Sequence, residues 1–451
     1  MRMRMRSVAL ACASALLVSV GLASCGGSDD SDSSSGASSL DKKVNLVYIA
    51  HDFTPREQWD KERIAAYQKD HPKVKIKQVV IPYPAFDDKL KTAIAAGTVD
   101  IFANSTPLGP YFAKGTVAPV DPEAMGFGSL EELNAKYIKE GLEPFSYEGK
   151  RYAIPNEATS YAFFVNKKVF REAGLDAEKD YPKTWEQVLA LSKRIVKRDS
   201  AGRIVRRGFD FAYPATNNWI SPSDEYFPMF AQKGGRIVSE DGRSSAFDSP
   251  GNVEVMQFIS DWVHKHKLGG PPTDDVTDEF LKGKVAMIAI GPWFQPVLSK
   301  DAPEVYENLK VVPFPVFDDA TAPYGPQLDG YGHMVNARST KDEQREAWKF
   351  IAFLNNMHGD PIPYVQRTGL LIPRKEVYDN PEKLAAKLKD HEVFLDALKR
   401  PQLGLFDQVN APKISEAIQN AVDRVASKRQ NPKAAVAQAS KEIDAALAAS
   451  E

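Results

Sequence analysis

VNLVYIAHDFTPREQWDKERIAAYQKDHPKVKIKQVVIPYPAFDDKLKTAIAAGTVDIFA, residues 44–103, holds the pattern that decides the fold class. Val44 to Ala50 (VNLVYIA) is an apolar run of strand length. A polar helix pattern follows from about Pro55, with Ile64 and Tyr67 on one side, and it stops at His71-Pro72 because a residue before proline is pushed out of the helical region. Val74, Ile76 and Val79-Val80-Ile81 form a second strand ended by Pro82. Phe86, Leu90 and Ile94 recur every four residues, Gly97 supplies a helix stop, and Val99 to Ala103 (VDIFA) is a third strand. This β-α-β-α-β order predicts an α/β domain with a mainly parallel sheet, since parallel neighbours need a helical crossover.

Further along, Tyr161 to Val165 (YAFFV) reads as a buried strand, and Lys167 to Ala173 as a short helix stopped by Gly174. Thr184 opens a helix with Gln187 three residues on, as in a capping box, and Trp185, Val188, Leu189, Ser192 and Ile195 share its inner face. A helix carries Val255, Phe258, Ile259 and Trp262, and a strand runs from Val285 to Ile290. Lys341 to Leu354 is a helix facing inward through Ala347, Phe350, Ile351 and Leu354. The tail from Ala411 to Ala449 is helical, with Ile414, Ile418 and Val422 as its stripe. The architecture expected is two α/β lobes with helices closing the end of the chain.

Ahead of this body, Arg2, Arg4 and Arg6 precede an apolar run from Val8 to Leu22, a pattern of export signals. The run is too short to span a bilayer comfortably. Leu22-Ala23-Ser24-Cys25 resembles the bacterial lipobox, which implies that Cys25 becomes a lipidated mature N-terminus. Gly26 to Ser39 (GGSDDSDSSSGASS) has no apolar side chain larger than Ala and is expected to be a flexible leash. The formal charge of −2 becomes −5 once those three arginines leave, a field with no reason to seek nucleic acid or anionic lipid. Cys12 and Cys25 are the only cysteines. With one removed and the other lipidated, the mature chain has no disulfide, cysteine nucleophile or cysteine metal site. Its 427 residues suggest two domains.

Several segments then carry a resemblance, in order along the chain. They are Gly149 to Glu157 (GKRYAIPNE), Val165-Asn166-Lys167 with Phe170 to Asp176 (FREAGLD), Pro182 to Glu186 (PKTWE), Phe280 to Trp293 (FLKGKVAMIAIGPW) and Gly330 to Ser339 (GYGHMVNARS). Together they resemble the extracellular solute-binding proteins of ABC importers, in the maltodextrin-type sugar-binding branch. The resemblance implies a type II periplasmic-binding-protein-like fold: two α/β lobes, a multi-segment hinge and a ligand cleft between them. It places a signal at 1–24, the lipidated cysteine and linker at 25–42, and the first lobe at 43–155. The second lobe follows at 156–310, a return to the first at 311–357, and a helical part, mainly of the second lobe, at 358–451. It also implies partners: a sugar, most simply an oligosaccharide, and membrane permease subunits. The receptor itself is expected to be a monomer outside the cytoplasm, anchored through Cys25, without cofactor, metal or catalysis.

A sugar offers hydroxyls and flat C–H faces, so its site needs aromatic rings and fixed polar groups. Trp293 follows Gly291-Pro292 past a strand, where the family's equivalent ring stacks on sugar. Glu157 lies in the first crossing segment and matches a family carboxylate. Asn104 and Ser105, with Thr106, follow the strand Val99 to Ala103, where ligand loops emerge; the family often has larger acidic, Arg or Trp side chains there. Asp52 is the best acceptor of the His51-Asp52-Phe53 turn, with His51 divided between a ligand contact and a capping or solvated histidine. Asn217, Asn218, Trp219 and Asp224 lie in a stretch before a Tyr226 to Gln232 helix, Asp329 and Tyr331 flank Gly330, and Arg374 sits in a loop able to close over the cleft. Bland alternatives stand beside some of these: core burial for the tryptophans, a solvated charge for Glu157 and Arg374, a surface turn for Asp329 and Tyr331.

There is no H-E-x-x-H, G-x-S-x-G or P-loop, and His264 and His266 read as solvated. Two readings compete with a sugar receptor. One is a binding protein for another solute such as a polyol phosphate or a peptide. The other is a surface glycoside hydrolase pairing Glu157 with Asp224 or Asp329, which would need carboxylates roughly 5 Å apart if retaining.

Overall fold

The computed structural model describes residues 42–449, apart from 106–107, 140, 158–160, 214–221, 272–274, 327–329, 404 and 406–407. The signal, Cys25 and the leash, together with Asn217, Asn218, Trp219, Thr106 and Asp329, lie outside the described residues.

Two sheets organise the chain. Their strands are β1 (Val44–His51), β2 (Val74–Ile81), β3 (Ile101–Ser105), β4 (Ile154–Pro155), β5 (Ala162–Asn166), β6 (Met287–Ile290), β7 (Leu309–Val312) and β8 (Tyr331–Val335). The first sheet has the order β2-β1-β3-β8-β4, and the second β6-β5-β7. β1 pairs in parallel with β2 and β3, and β8 is antiparallel to β3 and β4, so the parallel core expected from residues 44–103 carries an antiparallel return strand. The second sheet is antiparallel throughout.

Alternation along β1 sends Val44, Leu46 and Tyr48 to one face and Ile49 to the other, and both faces are covered. On one side lie α1 (Thr54–Asp70) and α2 (Lys341–Leu354), whose Ile64, Tyr67, Trp348 and Ile351 pack on Leu46 and Ile101. On the other, helix Phe86–Ala96 contributes Phe86, Leu90 and Ile94 against Ile49 and Phe102, and Gly97 ends it at φ +67, a left-handed cap that suits glycine. The second sheet is enclosed likewise. Phe163 and Val165 meet Trp185, Trp262 and the C-terminal helices; Phe164 and Ile288 meet Phe294, Leu371 and Phe394.

Several expectations shift. Thr184 accepts from Gln187 N at 3.2 Å, but the Gln187 amide reaches back to Lys183 N at 2.8 Å, one residue earlier than in a capping box. On that helix Leu191 is buried, while Leu189 is half-buried. The tail is two helices, Ala411–Ala426 and Pro432–Ala448, because Pro432 cannot continue the first and Asn431 caps the second. β7 pairs with β5, and Phe314 and Phe317 stay in the second sheet's core. The chain therefore rejoins the first sheet only at Tyr331, later than residue 311.

Candidate ligand-binding cleft

The ends of the two sheets face one another across a small cavity of about 50 Å³, lined by His51, Phe53, Arg56, Tyr83, Glu157, Tyr161, Trp293, Tyr331 and Leu370. His51 ends β1 and Tyr331 begins β8. Glu157 follows β4, and Asn156 N and Glu157 N both donate to Tyr331 O, at 2.9 and 3.2 Å. Glu157 is thereby fixed at a crossing between the sheets, and it is 3% exposed.

The second sheet supplies Tyr161, just before β5, and Trp293, just after β6, where Ala162 pairs with Ile290. Gly291 makes this corner possible. A Cβ there would lie 2.5 Å from Trp293 Nε1 and 3.2 Å from Tyr161, so the indole occupies space that only glycine leaves. Leu370 enters behind Gly369, whose φ of +72 and tight fit against Pro292 O also exclude a side chain. A second cavity of about 590 Å³ shares Phe53 and Trp293 and is lined further by Asp52, Gln58, Asp278, Lys300 and Arg367.

Beneath the first sheet's contribution runs a buried polar chain. Asn355 Nδ2 lies 3.0 Å from His333 Nδ1, His333 Nε2 lies 3.1 Å from Tyr48 Oη, and Tyr48 donates to Asp60 Oδ2 at 3.0 Å. The directions agree when His333 is neutral with its proton on Nε2, because an amide N–H can only donate. Burial, aided by the charge of Arg56, holds His333 down at about 3. Burial pushes Asp60 up to about 7, against the pull of Arg56 and the Tyr48 hydroxyl. Arg56 is itself buried, donates to His51 O at 3.0 Å and lies 5.5 Å from the centre of the Tyr331 ring.

Glu157, Trp293 and Tyr331 come together in the inner cavity, and Asp52 lines the outer one, with its Oδ1 accepting from Tyr83 N at 2.7 Å. Four sequence candidates take other places. β3 extends through Asn104 and Ser105, which pair with Gly332 and Tyr331 instead of forming a loop. The buried Asn104 amide donates to Tyr111 Oη at 2.7 Å and lies 3.4 Å from Asp87, beside helix Phe86–Ala96, and Ser105 lines neither cavity. Asp224 falls inside helix Pro222–Gln232, which starts earlier than expected, and is buried in its first turn, where a carboxylate suits the helix dipole. Arg374 is 1% exposed and forks onto Glu376 at 2.8 and 3.1 Å, beside Tyr137, in place of closing over the cleft.

Arg56, Tyr83, Tyr161 and Leu370 were missed. For Arg56 a signal existed: the stripe Ile64-Tyr67, carried back in steps of four, reaches Asp60 and Arg56, and all four are buried on α1. Tyr83 and Leu370 are brought in by tertiary contacts with no local pattern.

A cavity between the strand ends of two α/β sheets, joined by crossing segments, defines a two-lobed ligand-binding protein of the type II periplasmic kind. Residues 50–357 match the family described as bacterial extracellular solute-binding protein, and the chain belongs to that family. It is similar to an arabinooligosaccharide-binding protein of Halalkalibacterium halodurans, at 22% identity over 79% of this chain and 77% of that one. A diacetylchitobiose-binding protein of Streptomyces coelicolor is 23% identical over 79% of both. An ABC transporter solute-binding protein from Thermotoga lettingae, solved with α-D-tagatose, superposes with TM-score 0.73 at 22% identity, covering 90% of this chain and all of that one.

Proposed function

We propose that this protein captures a neutral sugar, most simply an oligosaccharide, by closing its two lobes, and delivers it to an ABC permease while lipidated Cys25 holds it at the extracytoplasmic face of the cell membrane. The observation that carries the sugar reading is the inner cavity. Five aromatic side chains, Phe53, Tyr83, Tyr161, Trp293 and Tyr331, surround one carboxyl, one guanidinium and one imidazole. Rings cover C–H faces, and the polar trio suits hydroxyls. The outer cavity leaves room for further sugar units past Trp293. Relatives named for arabino-oligosaccharides and diacetylchitobiose support the same class.

The geometry supports closure: a ligand touching Glu157 and Tyr331 on one side and Trp293 on the other would bridge both sheets, and so would favour a closed form by contacts an open form lacks. Glu157 is the only carboxyl lining the inner cavity among the described residues, which argues against a two-carboxylate hydrolase.

The test is a thermal-shift and calorimetric screen with arabinotriose, maltotriose, diacetylchitobiose and their monosaccharides, with a polyol phosphate and a peptide as contrasts. A sugar should raise the melting temperature by mass action and emerge unaltered on chromatography. Trp293→Ala should weaken it more than tenfold. A shift by the phosphate or peptide alone refutes the sugar reading, and hydrolysed product refutes the receptor reading.

A further inference from the structure

His51 is the last residue of β1, and its ring lines the inner cavity. Its Nδ1 is 2.9 Å from Asp52 O. A carbonyl oxygen only accepts, so Nδ1 carries the proton and Nε2 presents a lone pair. The ring cannot easily turn: Tyr83, Phe86 and Tyr331 surround it at 5.2, 5.7 and 5.0 Å between centres. Nε2 has no hydrogen-bond partner among the described residues, and the ring that carries it lines the cavity.

We propose that His51 determines specificity by accepting, at Nε2, a hydrogen bond from a ligand hydroxyl, selecting a neutral O–H group over an anionic or deoxygenated one at that position. The proposal rests on the sugar reading above and deepens it. The groups around the imidazole support a neutral acceptor. Among the described residues that line the cavity, Arg56, from α1, is the cation and already donates to His51 O; Glu157 is the acidic group; Tyr83, Tyr161 and Tyr331 are phenols. Burial, reinforced by the Arg56 charge, keeps the imidazole well below its ordinary range. A phosphate or carboxylate oxygen would set its lone pairs against that of Nε2. A polyol offers O–H to Nε2 and a neighbouring oxygen to Arg56.

The decisive experiment uses the full chain in detergent, labelled with ¹⁵N-histidine, together with calorimetry on arabinotriose, maltotriose and diacetylchitobiose. The protein has seven histidines, and His51→Gln identifies the resonance. The expected spectrum at pH 6 to 7 shows His51 neutral and protonated on Nδ1. His51→Phe should weaken the sugar that binds by more than tenfold, while His51→Gln, which keeps an acceptor, should lose much less. A charged or Nε2-protonated His51 overturns the proposal, as does wild-type affinity in His51→Phe. If no sugar binds the wild type, the sugar reading falls and the hydroxyl contact with it. The spectrum then still reports, separately, whether His51 is an acceptor.

Discussion

Asp60 should make the protein's stability respond to pH in a direction opposite to that of a surface carboxylate, and replacing it by Asn should remove that response. Asp60 is 2% exposed, at the end of the Asn355–His333–Tyr48 chain, and burial raises it to about 7. In the unfolded chain it would titrate near 3.9. Between those values the folded protein holds a proton that the unfolded chain has released. Stability from this group is therefore fully present below pH ~4 and is lost as pH rises through about 7. A difference of about three units corresponds to about 4 kcal/mol. Asn keeps an oxygen to accept from Tyr48 and has no proton to lose. Relative to wild type, the variant should thus gain about 4 kcal/mol between pH 4 and pH 8. The wild type itself conceals the effect, because His333 contributes the opposite slope. Its folded value of about 3 means that stability is lost as pH falls from about 6.5. Where the windows overlap, the proton gained by Asp60 cancels the one refused by His333. Urea titrations at pH 4, 5, 6, 7 and 8, compared as differences between Asp60→Asn and wild type, measure the gain directly. A difference that does not change with pH refutes the raised carboxyl.

Arg374→Met keeps the buried stem but removes the fork onto Glu376, whose side chain is 37% exposed and can rehydrate. The cost should be about 2 kcal/mol of stability in urea denaturation, with sugar affinity within twofold of wild type; lost affinity at unchanged stability would make Arg374 a ligand residue after all. Cys25→Ser should move the protein from the membrane fraction to the soluble extracytoplasmic fraction in a fractionation assay, and a variant that stays in the membrane fraction refutes the lipid anchor.

Local signals made much of the fold legible. The strand–helix alternation of residues 44–103 became three parallel strands because apolar runs of strand length, proline stops and Gly97 act within a few residues of themselves. Trp293 was legible through the glycine and proline that position it, and Glu157 through its crossing segment. Asn104 and Ser105 misled because a strand's last residue depends on its neighbour: β8 supplies pairing partners that extend β3 by two residues. Arg374 misled because a loop arginine looks alike in sequence whether it faces solvent or lies beside Tyr137.

By itself, the sequence determined the α/β class and the family-like order of blocks, because both are written in short-range periodicity and in residues with fixed backbone preferences. Only the tertiary structure decided which polar groups share the cavity. His51, Arg56, Glu157 and Tyr331 lie on different elements, and they meet because strand pairing brings the ends of β1, β8 and β4 to one end of the sheet. The imidazole's burial, its tie to Asp52 and its neighbour Arg56 then make it an acceptor, a property that exists only in that assembled environment.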